Sequence, residues 1–95
     1  MSEQFISVLN RAVSVYGIDA QTDMTIEEMS ELTKALLKYR RYKTELRREA
    51  ILEEMADVEI MLKQMEIIYG DPSEWREKKL ARLEARLLTV KEDEK

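Results

Sequence analysis

Ile51-Leu52-Glu53-Glu54-Met55-Ala56-Asp57-Val58-Glu59-Ile60-Met61-Leu62-Lys63-Gln64-Met65-Glu66-Ile67-Ile68-Tyr69 is a run of nineteen residues that decides the fold. At about 100° per residue, Ile51, Met55, Val58, Met61, Leu62, Met65, Ile68 and Tyr69 share one arc, the signature of an amphipathic helix. Glu54 falls between Met61 and Met65 on that arc, and Asp57 lies beside Ile68. A carboxylate within an apolar stripe is costly enough that it protonates, pairs with a base or coordinates a metal. Glu59 and Glu66, in contrast, lie with Lys63 on the polar side and read as solvated charge.

Working outward, a second acidic cluster, Glu27-Glu28-Met29-Ser30-Glu31, lies on the preceding amphipathic segment. There Ile26, Met29, Leu32, Ala35, Leu36, Leu37 and Tyr39 spread over one broad arc, Glu28 points into it and Glu31 lies at its border. Glu28/Glu31 and Glu54/Asp57 are each spaced i, i+3, which puts each pair on one helix face about a turn apart. Facing each other across a helix pair, the four would form an oxygen-only site for a hard cation such as Mg²⁺, with Mn²⁺ as a substitute. Glu28 also has a structural reading, because Thr25 three residues earlier would complete a capping box. That reading leaves Glu31, Glu54 and Asp57 unexplained.

Composition narrows the chemistry. Ninety-five residues suffice for one domain, and so short a chain buries a modest core that a second copy would help to cover. With 44% hydrophobic and 38% charged residues, two glycines and one proline, the chain suits a helical bundle. The net charge of −4 argues against a general nucleic-acid or anionic-membrane partner. No cysteine means no disulfide, thiolate zinc site or cysteine nucleophile. No histidine removes ferritin-like Glu-x-x-His sites, the usual zinc hydrolase sites and a Ser-His-Asp triad. Carboxylate chemistry is left. No apolar run reaches the roughly 18 residues of a membrane span and the N-terminus has no secretory pattern, so a cytoplasmic location is expected.

The remaining elements complete an all-α domain over residues 1–95. Phe5, Leu9, Ala12, Val13 and Tyr16 predict a first helix over about 3–16, stopped by Gly17. Ile18 to Met24 reads as a connector, followed by helices over about 25–42 and 50–69. Asp71-Pro72-Ser73-Glu74 after Gly70 predicts the start of a fourth helix, over about 72–90, with Asp71 as its cap and Pro72 at its first position. Leu80, Leu83, Leu87 and Val90 give that helix a heptad-like seam, and the tail 91–95 is expected to fray.

Glu-Glu-x-x-Glu followed about two dozen residues on by Glu-x-x-Asp, on successive helices, resembles the MazG-like all-α nucleoside triphosphate pyrophosphohydrolases, and in particular their small, single-domain, phage-type members. The likeness spans most of the chain: a first helix ending in an aromatic and glycine, Gln21 ahead of the first motif, both acidic motifs, and Lys79-Leu80-Ala81-Arg82-Leu83-Glu84. It implies a four-helix bundle completed as a homodimer or homotetramer. It also implies cleavage between the α- and β-phosphates of a nucleoside triphosphate, with Mg²⁺ held by Glu28, Glu31, Glu54 and Asp57. Glu27 and Glu53 are then outer bases, ligands of a second ion, or solvated charge. Related proteins place a basic pair of the last helix near the phosphates, which selects Lys79 and Arg82. Lys38 and Arg48 belong to a second basic group around the turn between the middle helices. Tyr16 is the candidate for contact with the base, standing where relatives often carry tryptophan, and Gln21 is a further phosphate- or nucleotide-binding candidate. Two further readings compete: the same fold acting on phosphoribosyl-ATP or a modified nucleotide, and a non-catalytic helical oligomer whose acids pair with Lys or Arg.

Overall fold

The computed structural model describes residues 2–90, and within them all regular structure is helical. Four helices follow one another: α1 Glu3–Tyr16, α2 Ile18–Arg41, α3 Glu45–Tyr69 and α4 Ser73–Leu87. The expected all-α class and number of helices hold.

The starts of α2, α3 and α4 depart from expectation, each for a local reason, and so does the end of α4. Ile18 to Met24 is no connector but the first two turns of α2, so the break after α1 is Gly17 alone. Gly17 makes that break at φ 92°, closing α1 through its N–H to the Val13 carbonyl at 2.9 Å. Thr25 is therefore inside a helix and caps nothing: its hydroxyl donates to the Gln21 carbonyl at 2.8 Å. The capping box at Glu28 is overturned with it.

Next, α3 begins at Glu45 rather than near residue 50. Thr44 caps it, the hydroxyl accepting from Arg47 N at 3.2 Å, and Glu45 pairs with Arg48 across the first turn. These turns are charged and solvated, so apolar periodicity did not reveal them. Lastly, α4 starts at Ser73, with Asp71 Oδ1 accepting from Ser73 N at 2.9 Å and Pro72 in the cap position. That bond, first among several causes, holds the Asp71 carboxyl below its ordinary range. The helix ends at Leu87, short of the expected 90. The expected fraying of 91–95 lies outside the described residues.

An antiparallel α2–α3 hairpin is the body of the fold. Its register is fixed at both ends, by Gln21 Nε2 donating to Gln64 Oε1 at 2.6 Å and by Arg47 Nη1 donating to the Lys38 carbonyl at 2.9 Å. Gln21, Thr25, Glu28, Leu32, Ala35 and Tyr39 of α2 alternate in steps of four and three, and so do Ile51, Glu54, Val58, Met61, Met65 and Ile68 of α3. All of these are buried or half-buried, which is the spacing of a coiled-coil seam. α1 covers one flank of the hairpin, burying Leu9 and laying Phe5 and Val8 beside Ile60. Among the described residues the buried apolar set is only Leu9, Ala35, Val58 and Met61.

α4 packs on none of the other three helices. The consequence is an extended molecule of 54 × 36 × 25 Å with a radius of gyration of 17.2 Å, where a compact chain of this length would have about 12 Å.

Candidate metal centre

One heptad along the seam from the Gln21–Gln64 bond, the same register brings Glu28 of α2 opposite Asp57 of α3. Glu54, one turn before Asp57, completes a group of three. One carboxylate oxygen from each of Glu28, Glu54 and Asp57 lies within 4.8 Å of the others, and all three residues are half-buried. The position follows from the helix period: Glu54 and Asp57 occupy seam positions that Met61 and Gln64 take one heptad later.

Close, partly desolvated carboxylates resist ionisation together. The Glu28 carboxyl is raised above its ordinary value first by burial, then by the charge of Asp57 and a hydrogen bond shared with it, with Glu54 and Glu27 adding less. Glu54 is raised likewise, first by burial and then by Asp57, Glu31 and Glu53. Among the described residues, none of the ion pairs involves Glu28, Glu54 or Asp57. Oxygen-only ligands, mutual repulsion and the absence of an ion-pair base describe a donor set suited to a hard divalent cation.

The fourth acid stands at the edge. Glu31 is close enough to Glu54 to raise its pKa but turns an oxygen to Lys34 Nζ at 3.4 Å, the lysine exposed and Glu31 half-buried. So weak a surface pair yields readily to a stronger partner. Glu27 and Glu53 are exposed beside the cluster.

The other candidates are dispersed. Lys79 and Arg82 lie on α4, away from the carboxylates within a single chain. Arg48 is engaged by Glu45 and by Glu49 at 3.1 Å on its own helix, while Lys38 is exposed near the end of α2. Tyr16 is exposed at the end of α1, and the start of α2 beside it lies ~15 Å along the helix axis from Glu28. Gln21 is buried and spends its amide on Gln64, an internal role that its place before the acidic motif did not suggest. Gln64 itself was missed. The signal was available in its spacing, seven residues after Asp57.

No family model, curated protein or solved structure matches this chain.

Proposed function

We propose that this protein is a Mg²⁺-dependent pyrophosphohydrolase of nucleoside triphosphates, cleaving between the α- and β-phosphates to give the monophosphate and pyrophosphate. The observation that carries the reading is the meeting of Glu28, Glu54 and Asp57 from two helices around one point. Their spacing within two acidic motifs, the basis of the MazG-like resemblance, supplies the reaction class.

Glu28, Glu54 and Asp57 hold the ion, and Glu31 joins them by releasing Lys34. A Mg²⁺ held there would supply neutralisation of phosphate charge and stabilisation of the charge that develops on the leaving pyrophosphate. One carboxylate of the cluster orients the attacking water and takes its proton. Lys79 and Arg82 bind phosphate oxygens, arginine in bidentate fashion, and reach the site through self-association into a dimer or tetramer. The chain acts within the cytoplasm. A helical module whose acids merely pair with bases is less well supported, because the clustered carboxylates take no part in the ion pairs among the described residues.

Pyrophosphate release from a panel of ribo- and deoxyribonucleoside triphosphates, with and without Mg²⁺, tests this. The expected result is Mg²⁺-dependent monophosphate and pyrophosphate formation, lowered more than about 100-fold in Glu54→Gln, since even outer-sphere changes at metal sites cost 10- to 100-fold. No turnover of any triphosphate, together with no Mg²⁺-induced rise in unfolding temperature, would refute it.

A further inference from the structure

The net charge of −4 conceals a sharp division along the chain. Residues 34–48, which form the end of α2, the turn and the start of α3, carry seven bases and one acid, while the rest of the chain carries nine bases and nineteen acids. Two of the seven are spent locally, Lys34 on Glu31 and Arg48 on Glu45 and Glu49. Lys38, Arg40, Arg41, Lys43 and Arg47 take part in none of the ion pairs among the described residues. The first four of these are exposed.

Helix ends do not account for so much charge. The C-terminus of α2 carries about half a negative charge, and α3 begins at the same tip with about half a positive one, so the two nearly cancel. The metal centre does not account for it either. Arg41 stands ~20 Å from Glu28 along the α2 axis, so the phosphates of a nucleotide held at the carboxylates fall short of the tip.

The tip combines a line of cations with an aromatic face. Lys34, Leu37, Lys38 and Arg41 border an open groove along α2, its cations about one turn, ~5 Å, apart. Beyond the groove, Tyr42 is 67% exposed. Arg47 sets the ring, its guanidinium lying 5.1 Å from the centroid while Nη1 donates to the Lys38 carbonyl at 2.9 Å. The guanidinium covers one face of the ring and the other is open to solvent, with Arg41 and Lys43 on either side in the chain. A held aromatic face among unpaired cations takes a base by stacking and the adjoining phosphates by charge.

We propose that the tip of the α2–α3 hairpin binds single-stranded nucleic acid, with a base stacked on Tyr42 and backbone phosphates on Lys38, Arg40, Arg41 and Lys43. A single strand is favoured over a duplex because its bases are free to reach the ring. An acidic peptide would satisfy the cations and leave the ring unused. An anionic bilayer fits less well, because Leu37 and Leu46 lie on different helices, short of the continuous apolar face that enters a membrane interface. The binding is local in charge, which is how a chain acidic overall accommodates it, and it does not depend on the catalytic reading.

Fluorescence anisotropy of the full chain with a labelled oligothymidylate of about 20 nucleotides, longer than the site of one small binding domain, tests this. The buffer contains EDTA, so the metal centre takes no part and the outcome is independent of whether the chain hydrolyses triphosphates. Binding is expected at low salt and should weaken about 50-fold between about 50 and 200 mM salt, as about four phosphate contacts to a single strand require. Arg41→Glu/Lys43→Glu should weaken it at least about tenfold, and Tyr42→Ala at least about fivefold, both with the helical circular dichroism of wild type. Arg86→Glu, on α4, should bind as wild type does. No binding at low salt, or unchanged binding in both tip variants, would overturn the proposal. So would equal affinity for a duplex of the same length, full displacement by an equal concentration of nucleoside triphosphate, or association with phosphatidylserine vesicles in place of the oligonucleotide.

Discussion

α3 and α4 are joined by three residues and both carry a periodic apolar stripe, yet α3 packs against α2 and α1 while α4 meets none of the other three helices. The two stripes differ little as patterns. What separates them is register: α3 lies opposite a helix whose four-three alternation matches its own, pinned by Gln21–Gln64 and by Arg47 on the Lys38 carbonyl. α4 leaves Gly70 with φ 122° and heads away from that pairing. A heptad pattern therefore states that a helix has a partner and leaves open which chain supplies it.

The sharpest way to break this comparison is to truncate one residue in each stripe. Met61 is buried in the seam, and Met61→Ala is expected to lower the unfolding free energy by about 2–4 kcal/mol, the usual cost of removing a buried side chain of this size. Leu83→Ala should change the stability of dilute chain by no more than about 0.5 kcal/mol, as substitutions at sites without partners do, and act only on its concentration dependence. Urea unfolding at two protein concentrations measures both. Equal losses in the dilute chain would mean that α4 is packed in the monomer after all.

The same distinction explains what could be read from residues alone. Glu54 and Asp57 were placeable on the buried arc because Val58, Met61, Met65 and Ile68 define its direction within one uninterrupted helix. Ile18–Met24 was not readable as helix because its seam residue, Gln21, is polar, and apolar periodicity is blind to it. The Gln64 partnership depends on antiparallel register, a property of two helices together. The separation of Lys79 and Arg82 from the acids reflects the direction of α4 after Gly70, which no local pattern in α4 encodes. Helix existence and facing are local properties; pairing is not.

Within the seam a second comparison sets neutral against charged polar pairs. Gln21 and Gln64 satisfy each other, and no buried side-chain polar atom lacks a partner among the described residues. Gln64→Leu leaves the Gln21 amide buried without that partner, at an expected cost of about 1–3 kcal/mol. Replacing both by leucine should recover most of the loss, since an apolar pair of similar shape is nearly neutral. A double-mutant cycle by urea unfolding gives the coupling. If the double substitution is as damaging as the two singles summed, the bond does not set the pairing energy at this level.

One heptad away, Glu28 and Asp57 occupy the equivalent level with like charges, and here stability should follow pH in the opposite sense from a paired acid. A carboxyl whose pKa is higher folded than unfolded holds its proton more tightly in the folded state. The contribution of Glu28 is thus fully present below its ordinary value of 4.5 and lost as pH rises through its raised one. Glu54 adds in the same direction. Partial solvation keeps the effect smaller than those above. Metal-free protein should therefore lose stability as pH rises above about 4.5, Glu28→Gln should lose less, and Mg²⁺ should flatten the wild-type curve by binding the ionised cluster in the folded state. Urea unfolding across this range reads all three. If wild type and Glu28→Gln run parallel, the carboxylates do not repel in solution, and the seam carries two ordinary polar levels rather than a neutral one beside a site held open for a cation.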